Sequence, residues 1–186
     1  RITSPYAVEV NGETLTTRNI IVATGGRPYV PQIEGIDTID YHTSDTIWSI
    51  RELPKRLIVL GGGPIGCELA QVFARFGSQV TIVQRQPTLL KREDPEIAAM
   101  VEQQFVEEGI DVRLSHTAES IQVRDGVQVL TCVHDSQSVE IEFDTLLLAL
   151  GRADDEVPSP DPFPGSGENV RLGREGQDTK GESEQK

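Results

Sequence analysis

The fold is decided by the stretch 57–66, Leu57-Ile58-Val59-Leu60-Gly61-Gly62-Gly63-Pro64-Ile65-Gly66. Four consecutive apolar residues are typical of a parallel strand that helices cover on both faces. The glycines then follow the spacing G-x-G-x-x-G: the first allows a tight turn, the second lets the backbone approach a pyrophosphate, and the third lets helix and strand pack closely. The stretch therefore predicts a dinucleotide-binding turn, with the first amides of the next helix facing the phosphates.

The residues after this turn complete a strand–helix–strand unit. A glycine-rich turn alone would be weak support, because such turns are common for steric reasons. Here apolar residues recur at helical spacing up to Gly77, and residues 80–83 read as a second buried strand. The apolar positions of the predicted helix are Leu69, Val72, Phe73 and Phe76.

The end of the second strand predicts which dinucleotide is preferred. In such units the adenosine ribose lies about 20 residues after the first glycines, where an acidic residue selects NAD. Gln84 stands here instead and has no carboxylate for the 2′-hydroxyl, whereas Arg85 offers a planar cation that matches phosphate geometry, with Lys91 nearby. NADP(H) is therefore predicted over NAD(H). The alternative is that Arg85 is only a solvated surface residue.

Composition excludes several other functions. The formal net charge of −13 argues against binding to nucleic acid or to an anionic membrane. No apolar run reaches the roughly 20 residues that a transmembrane helix needs, and no signal peptide is present, so we expect a cytoplasmic protein. The sequence starts at Arg1 in the middle of a strand pattern, and we interpret it as a piece of a longer protein.

The cysteines and histidines indicate neither a metal site nor a redox site. Cys67 and Cys132 are far apart, and Cys67 is expected to be a buried helix residue. His42, His116 and His134 are isolated in the sequence, without a second ligand at metal spacing. We therefore predict no metal site and no catalytic residue within this chain.

The segment before the glycine turn contains β structure and a connection. Alternating residues around Asn11-Gly12 predict a β-hairpin, and the apolar residues 20–23 predict a buried strand that ends at Thr24-Gly25. Proline and glycine are frequent from residue 28 to 56, where Thr43-Ser44-Asp45 should cap a short helix and Trp48 should pack against the sheet.

The segment after the second strand returns to the sheet. Asp94-Pro95 is typical of a helix start, and residues 110–114 read as a third strand. An apolar strand at 145–150 ends at Gly151-Arg152, and the proline-rich, polar residues 154–186 are predicted to be disordered. Between these elements, alternation predicts an antiparallel meander at about 120–124, 127–133 and 139–143. The fold prediction is α/β: a Rossmann-like doubly wound sheet with an antiparallel β-meander.

Four motifs in one order resemble the pyridine nucleotide-disulfide oxidoreductases. They are Ala23-Thr24-Gly25, Thr43-Ser44-Asp45, the glycine stretch through Ala70, and Leu148-Ala149-Leu150-Gly151-Arg152. The resemblance covers about residues 5–153. Within the family, the run Lys91-Arg92-Glu93-Asp94-Pro95 is most similar to mercuric reductases, with dihydrolipoamide dehydrogenases and glutathione reductases next.

The resemblance implies a domain organisation. Residues 1–36 would be a remnant of an FAD-binding domain, residues 37–153 an NAD(P)-binding domain, and residues 154–186 a low-complexity tail. The parent protein would bind FAD and would be a homodimer, and the rest of the flavoprotein chain would be a partner of this segment. The small-molecule ligand would be a nucleotide.

The resemblance also implies roles for individual residues. Glu68 would lie near the nicotinamide, with an ordinary solvated carboxylate as the alternative, while Arg85 and Lys91 would face the 2′-phosphate. Thr24 and Gly25 would approach the flavin, and Ala149, Gly151 and Arg152 would line the cofactor cleft. The candidate cofactor-binding residues are therefore Gly61, Gly62, Gly63, Pro64, Ile65, Gly66, Glu68, Gln84, Arg85, Lys91, Ala149, Gly151, Arg152, Thr24 and Gly25.

The implied reaction is hydride transfer from NADPH to FAD, followed by reduction of a cysteine pair and then of a disulfide or a metal ion. This sequence contains neither the first FAD-binding glycine motif nor the cysteine pair of the family. We therefore expect the isolated chain to bind nucleotide without turnover. The alternatives are a stand-alone nucleotide sensor or pseudo-enzyme, and a relative of the flavoprotein monooxygenases or the oxygen-reducing NAD(P)H oxidases.

Overall fold

The computed structural model describes residues 1–23 and 25–154, which divide into two compact units at residue 23. The first unit is an antiparallel sheet of β1 (Ile2–Ser4), β2 (Ala7–Val10) and β3 (Glu13–Thr16). Asn11 and Gly12 have φ angles of 54° and 83° at the turn between β2 and β3. A two-residue turn with both φ angles positive matches the twist of a hairpin, so the predicted hairpin is confirmed.

The predicted buried strand at residues 20–23 is wrong for this structure. The segment has no strand pairing, and the exposed fractions of Ile21 and Val22 are 90% and 67%. A strand needs a hydrogen-bonded neighbour, and no described strand pairs with this segment. An apolar run alone could not indicate where that neighbour would come from.

The second unit contains two α-helices and ten strands among the described residues. Its helices are α1 (Pro64–Phe76) and α2 (Pro95–Glu107), and short 3-10 turns lie at Ile36–Thr38 and Ile47–Ser49. The strands are β4 (Gly26–Pro28), β5 (His42–Thr43), β6 (Arg56–Leu60), β7 (Gln79–Val83), β8 (Asp111–Arg113), β9 (Thr117–Arg124), β10 (Val127–His134), β11 (Gln137–Phe143), β12 (Thr145–Leu148) and β13 (Arg152–Asp154).

A five-stranded parallel sheet organises this unit, in the order β5-β12-β6-β7-β8. Side chains of β6 alternate between the two faces of the sheet, as the period of a strand requires. Leu57 and Val59 pack with residues of α1 and α2, whereas Ile58 and Leu60 pack with residues of the β9–β11 meander. The α/β prediction is confirmed.

The expectation of helices on both faces is wrong, because the second face is covered by antiparallel strands. The meander has the order β11-β10-β9, and Ile121, Leu130 and Phe143 turn their side chains onto the parallel sheet. A β-sheet with one apolar face excludes water as well as a helix does, so the continuous apolar run of β6 fits either cover.

The helix boundaries follow the predicted signals. Asp94 caps α2, since its Oδ1 accepts a hydrogen bond of 2.8 Å from the backbone N–H of Glu96. Gly77 ends α1 in the left-handed conformation at φ 105°.

No helix in the described ranges is long and apolar enough to cross a bilayer. From residue 155 onward, the predicted disordered tail lies outside the described residues.

Thr43 and its neighbours form a turn, but Trp48 does not pack as predicted. The backbone N–H of Thr43 donates to Oγ1 of Thr46 at 2.9 Å, and the following 3-10 turn has no side-chain cap. Trp48 is 72% exposed and donates from Nε1 to the carbonyl of Ser44 at 2.8 Å. A local hydrogen bond satisfies the indole N–H at the surface, so the ring does not need a place against the sheet.

Candidate dinucleotide-binding site

The glycine turn lies at the carboxyl end of the central strand β6. The backbone N–H of Gly61 donates to Val83 on the neighbouring β7 at 2.9 Å, and the N–H of Ala149 donates to Leu60 at 2.8 Å. The turn is therefore bonded to the strands on both sides. Carboxyl ends of parallel strands are where open α/β sheets bind ligands.

The three motif glycines have distinct steric surroundings. A Cβ added to Gly61, whose φ is 107°, would come within 2.5 Å of the Ala149 carbonyl oxygen. A Cβ on Gly66 would come within 2.0 Å of the Gly61 carbonyl oxygen, so this glycine permits the close contact of helix and strand. A Cβ on Gly63 would meet nothing within 4 Å. The side of the turn at Gly63 is thus open for a ligand.

The start of α1 provides hydrogen-bond donors beside this open side. Gly63 is the N-cap residue, Pro64 occupies the first helical turn, and no side chain of the described residues caps the helix. The first intrahelical bond joins the N–H of Cys67 to the Gly63 carbonyl at 2.9 Å. The amides of Ile65 and Gly66 precede that bond. They lie at the positive end of the helix dipole, which suits an anion.

The segment 84–92 packs directly against the glycine turn. A Cβ on Gly62 would lie 2.5 Å from Cδ2 of Leu89 and 3.3 Å from Cγ of Gln84. The backbone N–H of Leu90 donates to the Gly62 carbonyl at 2.7 Å, and Leu89 is fully buried. Arg85, like Lys91, is exposed. The segment thus carries exposed cationic side chains on a backbone that is fixed against the glycine turn.

Arg85 and Lys91 make no hydrogen bond or ion pair with another described residue. Their charges are therefore uncompensated within that part of the chain, in contrast with Arg56, which forms ion pairs with Glu142 and Asp144. The site thus presents amide donors at one place and free cationic groups at another, an arrangement that suits a ligand with two separate phosphate groups.

The remaining candidate residues fall into two groups. Ala149 lies at the glycine turn, 3.3 Å from the Cβ position of Gly66. Arg152 lies elsewhere: it forms an ion pair with Asp45 at 3.2 Å and donates a hydrogen bond to the Gly26 carbonyl. Gly151 is exposed, with φ 103°.

The two residues expected to approach a flavin are only partly described. Gly25 has φ 80°, and an added Cβ would meet nothing within 4 Å. Thr24 lies outside the described residues.

Glu68 is exposed on the second turn of α1, next to the buried Cys67. Burial, with a smaller contribution from the charge of Glu68, raises the pKa of the Cys67 thiol to about 11. The thiol donates a hydrogen bond to the Gly62 carbonyl at 3.5 Å. Cys67 is therefore a protonated packing residue under the turn, as its helix position predicted.

No group of three or more His, Cys, Asp or Glu within the described ranges could hold a metal ion. His116 and His134, which are isolated in the sequence, are stacked in the structure with ring centroids 4.3 Å apart. The Nδ1 atoms of the two rings lie against the carbonyls of Leu114 and Ser115, at 2.6 and 3.1 Å. Strand pairing brings them together, which sequence spacing does not reveal.

Sequence reasoning missed Leu89 and Leu90 as parts of this site. Their only signal is an apolar pair between polar residues in a segment that otherwise reads as a surface loop. That pair indicates that the loop has a buried anchor, but it does not indicate the anchoring partner.

A family model described as pyridine nucleotide-disulphide oxidoreductase matches residues 1–163. The chain belongs to this family. The chain is also similar to the mercuric reductase of Lysinibacillus sphaericus, with 40% identity over 168 residues, which cover 90% of this chain and 30% of the reductase. The resemblance to the family and to mercuric reductases is thus confirmed.

Similar solved structures agree with the fold. The Cu(II) complex of the flavoprotein disulfide reductase RclA from Escherichia coli has a TM-score of 0.64 and 32% identity, covering 81% of this chain and 34% of RclA. The water-forming NADH oxidase of Lactobacillus brevis and an NADPH oxidase engineered from it each have a TM-score of 0.62 and 25% identity, covering 76% of this chain and 33% of theirs. The chain thus spans about a third of the length of these relatives.

Proposed function

We propose that this chain carries the NADPH-binding domain of an FAD-dependent, disulfide-reductase-like oxidoreductase. The observation that carries the proposal is the open side of the glycine turn at Gly63, which lies beside the uncapped start of α1. A turn with glycines only for tight packing would be filled there by protein. Family membership supports the same function, since pyridine nucleotides and flavin are the cofactors of the family.

The residues at the turn fit a pyrophosphate. The Gly63 backbone allows close approach, and the amides of Ile65 and Gly66 would donate to phosphate oxygens without any side chain in competition. The nicotinamide of a bound cofactor would supply the hydride, and the flavin of the parent protein would accept it. The residues of this chain would bind and orient the dinucleotide and would hold it on the carboxyl edge of the sheet.

The preference for NADPH is supported by the residues after β7 and by the engineered relative. That enzyme carries a Gly→Ala change, eighteen positions later the consecutive changes Asp→Ala, Ala→Arg and Met→Ser, and five positions after these Pro→Arg. If the Gly→Ala change is placed on Gly66, the last glycine of G-x-G-x-x-G, the four later positions fall by the same spacing on Gln84, Arg85, Gln86 and Lys91. The aspartate is thus absent here and both added cations have a counterpart, although Gly66 keeps the glycine of the NADH oxidase.

Further roles are proposed for the parent protein. Glu68 would lie near the nicotinamide ring, because it is exposed one turn beyond the helix start. Ala149 would line the cleft beside Gly61, while Gly151 and Arg152 would continue that edge toward Gly25 and the flavin. The parent would hold FAD and would form a homodimer, as the family resemblance implies.

The test is a calorimetric titration of the purified chain with NADPH and with NADH. We expect tighter binding of NADPH, and we expect Arg85→Ala to weaken NADPH binding by about tenfold through the loss of one charge-assisted hydrogen bond. Arg51→Ala is the matched control, since Arg51 is an exposed arginine of the same unit outside this site. Tighter NADH binding, or NADPH binding unchanged in Arg85→Ala, would contradict the proposal.

A second candidate is an oxygen-reducing NAD(P)H oxidase, which the likeness to the Lactobacillus brevis enzyme favours. The two candidates share this domain and differ in the electron acceptor. Oxygen consumption by the flavin-loaded parent, without added disulfide or Hg(II), would favour the oxidase. If the natural gene product purifies without flavin and still binds NADPH, the remaining alternative is a nucleotide sensor.

A further inference from the structure

The segment between β7 and α2, which carries Arg85 and Lys91, is held in place at both of its ends. At its start, the N–H of Gln84 donates to Arg113 at 2.9 Å, and the N–H groups of Ser115 and His116 donate to the carbonyls of Gln86 and Gln84 at 3.1 and 3.0 Å. The backbone on each side of Arg85 is therefore bonded to the residues that follow β8. This pairing fixes the backbone position of Arg85.

The far end of the segment is anchored on the glycine turn. Leu89 is fully buried in the same apolar cluster as Cys67 of α1 and Val59 of β6. Leu90 has a left-handed backbone at φ 48°, which is uncommon outside glycine, and its N–H bonds to the Gly62 carbonyl. Lys91 follows directly. Its position is therefore tied to the glycine turn through Leu89 and Leu90.

Gly62 lies against residues from both the start and the far end of this segment. This glycine is the variable middle position of G-x-G, for which the dinucleotide motif requires no glycine. A Cβ there would come within 2.5 Å of Leu89 Cδ2 and 3.4 Å of Gln84 Cβ. The absence of a side chain at position 62 therefore serves the packing of the segment on the turn.

We propose that Leu89, seated on Gly62, is a positioning residue that fixes the cations of segment 84–92 relative to the phosphate-binding turn and so determines the preference for NADPH over NADH. The inference rests on the proposed function. Leu89 is fully buried and would itself touch no ligand. It holds the distance between the amides that bind the pyrophosphate and the side chains of Arg85 and Lys91 that would bind the 2′-phosphate. NADH carries only the pyrophosphate, whereas NADPH carries both the pyrophosphate and the 2′-phosphate and so uses both places.

The experiment measures the ratio of the Kd values for NADH and NADPH in the full 186-residue chain. We expect Leu89→Ala to lower this ratio about tenfold, as the loss of one charge-assisted hydrogen bond would. Leu130→Ala is the matched control, because Leu130 is equally buried but belongs to the meander side of the sheet. It should lower Tm and leave the ratio unchanged, since loss of stability affects both cofactors equally.

Gly62→Ala gives an independent route to the same readout. Its Cβ would force Leu89 away from the turn, so the ratio should fall as in Leu89→Ala, and the double variant should fall no further because both changes remove one contact. If Leu89→Ala does not fold, Leu89→Val removes a single methylene and should lower the ratio about threefold, with the thermal melt as the check on folding.

Arg85→Ala distinguishes the two proposals. If Arg85→Ala lowers the ratio and the Leu89 variants do not, the positioning role is wrong and the NADPH-binding function stands. If Arg85→Ala leaves the ratio unchanged, the NADPH preference itself is overturned. A ratio that falls equally in Leu130→Ala would also overturn the positioning role.

Discussion

Replacing Gly63 by alanine should separate ligand binding from stability. The residue has φ −81° and ψ 179°, which any residue adopts, and its added Cβ would meet no atom within 4 Å. Alanine restricts the unfolded chain, which stabilises by about 0.4–1 kcal/mol, but it is a poorer N-cap than glycine by a similar amount. We therefore expect the free energy of unfolding to change by less than about 1 kcal/mol.

Binding should respond much more strongly. The new methyl group would stand where the pyrophosphate is proposed to approach, and it would lengthen the hydrogen bonds from the amides of Ile65 and Gly66. A hydrogen bond to a charged group contributes about 1.5–3 kcal/mol, so the loss of one raises the Kd for NADPH about ten- to hundredfold. Calorimetric titration and thermal melts of the same samples give both quantities.

Gly109→Ala is the control with the opposite signature. Gly109 has φ 83° and equally open surroundings, but the left-handed conformation costs a residue with a Cβ about 1–2 kcal/mol. Tm should fall by about 2–4 °C for each kcal/mol in a chain of this size, and the Kd should not change. If Gly63→Ala binds NADPH as tightly as the original chain, the open side of the turn does not hold the ligand, and the reasoning is refuted.

Three further predictions concern charge, thiols and fluorescence. Hydrogen bonds from the Arg56 side chain hold the pKa of Asp144 below its ordinary value. The stability that this carboxylate contributes is fully present above the ordinary pKa and is lost as pH falls through the lowered pKa. Asp144→Asn should therefore lower the free energy of unfolding, measured in urea, by at most about 1 kcal/mol near pH 7 and by less in acid. Burial raises the pKa of Cys67 and of Cys132 to about 11, so iodoacetamide should alkylate neither thiol at about pH 8 until denaturant is added; rapid labelling of the native chain would contradict their burial. Trp48 is the single tryptophan and is 72% exposed, so acrylamide should quench its emission nearly as strongly as that of a free indole; a shielded, blue-shifted emission would show that the ring is covered.

The elements that could be predicted from the sequence are those with local causes. The glycine turn, the cap at Asp94 and the hairpin at Asn11-Gly12 each depend on residues within a few positions of one another. Each was found where the sequence predicted it. The steric surroundings of Gly61 and Gly66 also match the roles expected from their spacing.

The features that could not be predicted depend on partners far apart in the sequence. An apolar run such as residues 20–23 forms a strand only if a neighbour supplies hydrogen bonds, and the run itself does not specify one. The alternating burial of Ile58 and Leu60 against the meander is also invisible locally, because a fully apolar strand fits a helix or a sheet equally well.

In the candidate site, a role for Arg85 could be predicted from its residue type and position, whereas a role for Leu89 could not. A guanidinium after the second strand has a direct chemical meaning, whereas a leucine in a polar loop acquires one only when its contact with Gly62 is known. The glycine at position 62 had no explanation in the motif alone, since that position accepts other residues.

The antiparallel pairing of β4 with β13 has an architectural consequence. Arg152 lies opposite Pro28 and Asp154 opposite Gly26, so the chain enters and leaves the intervening body at one point. A segment whose two ends adjoin can be spliced into a host loop without stretching either fold, as in natural domain insertions. Residues 26–154 thus have the geometry of a transplantable cassette, which a graft between flavoproteins could exchange as one block.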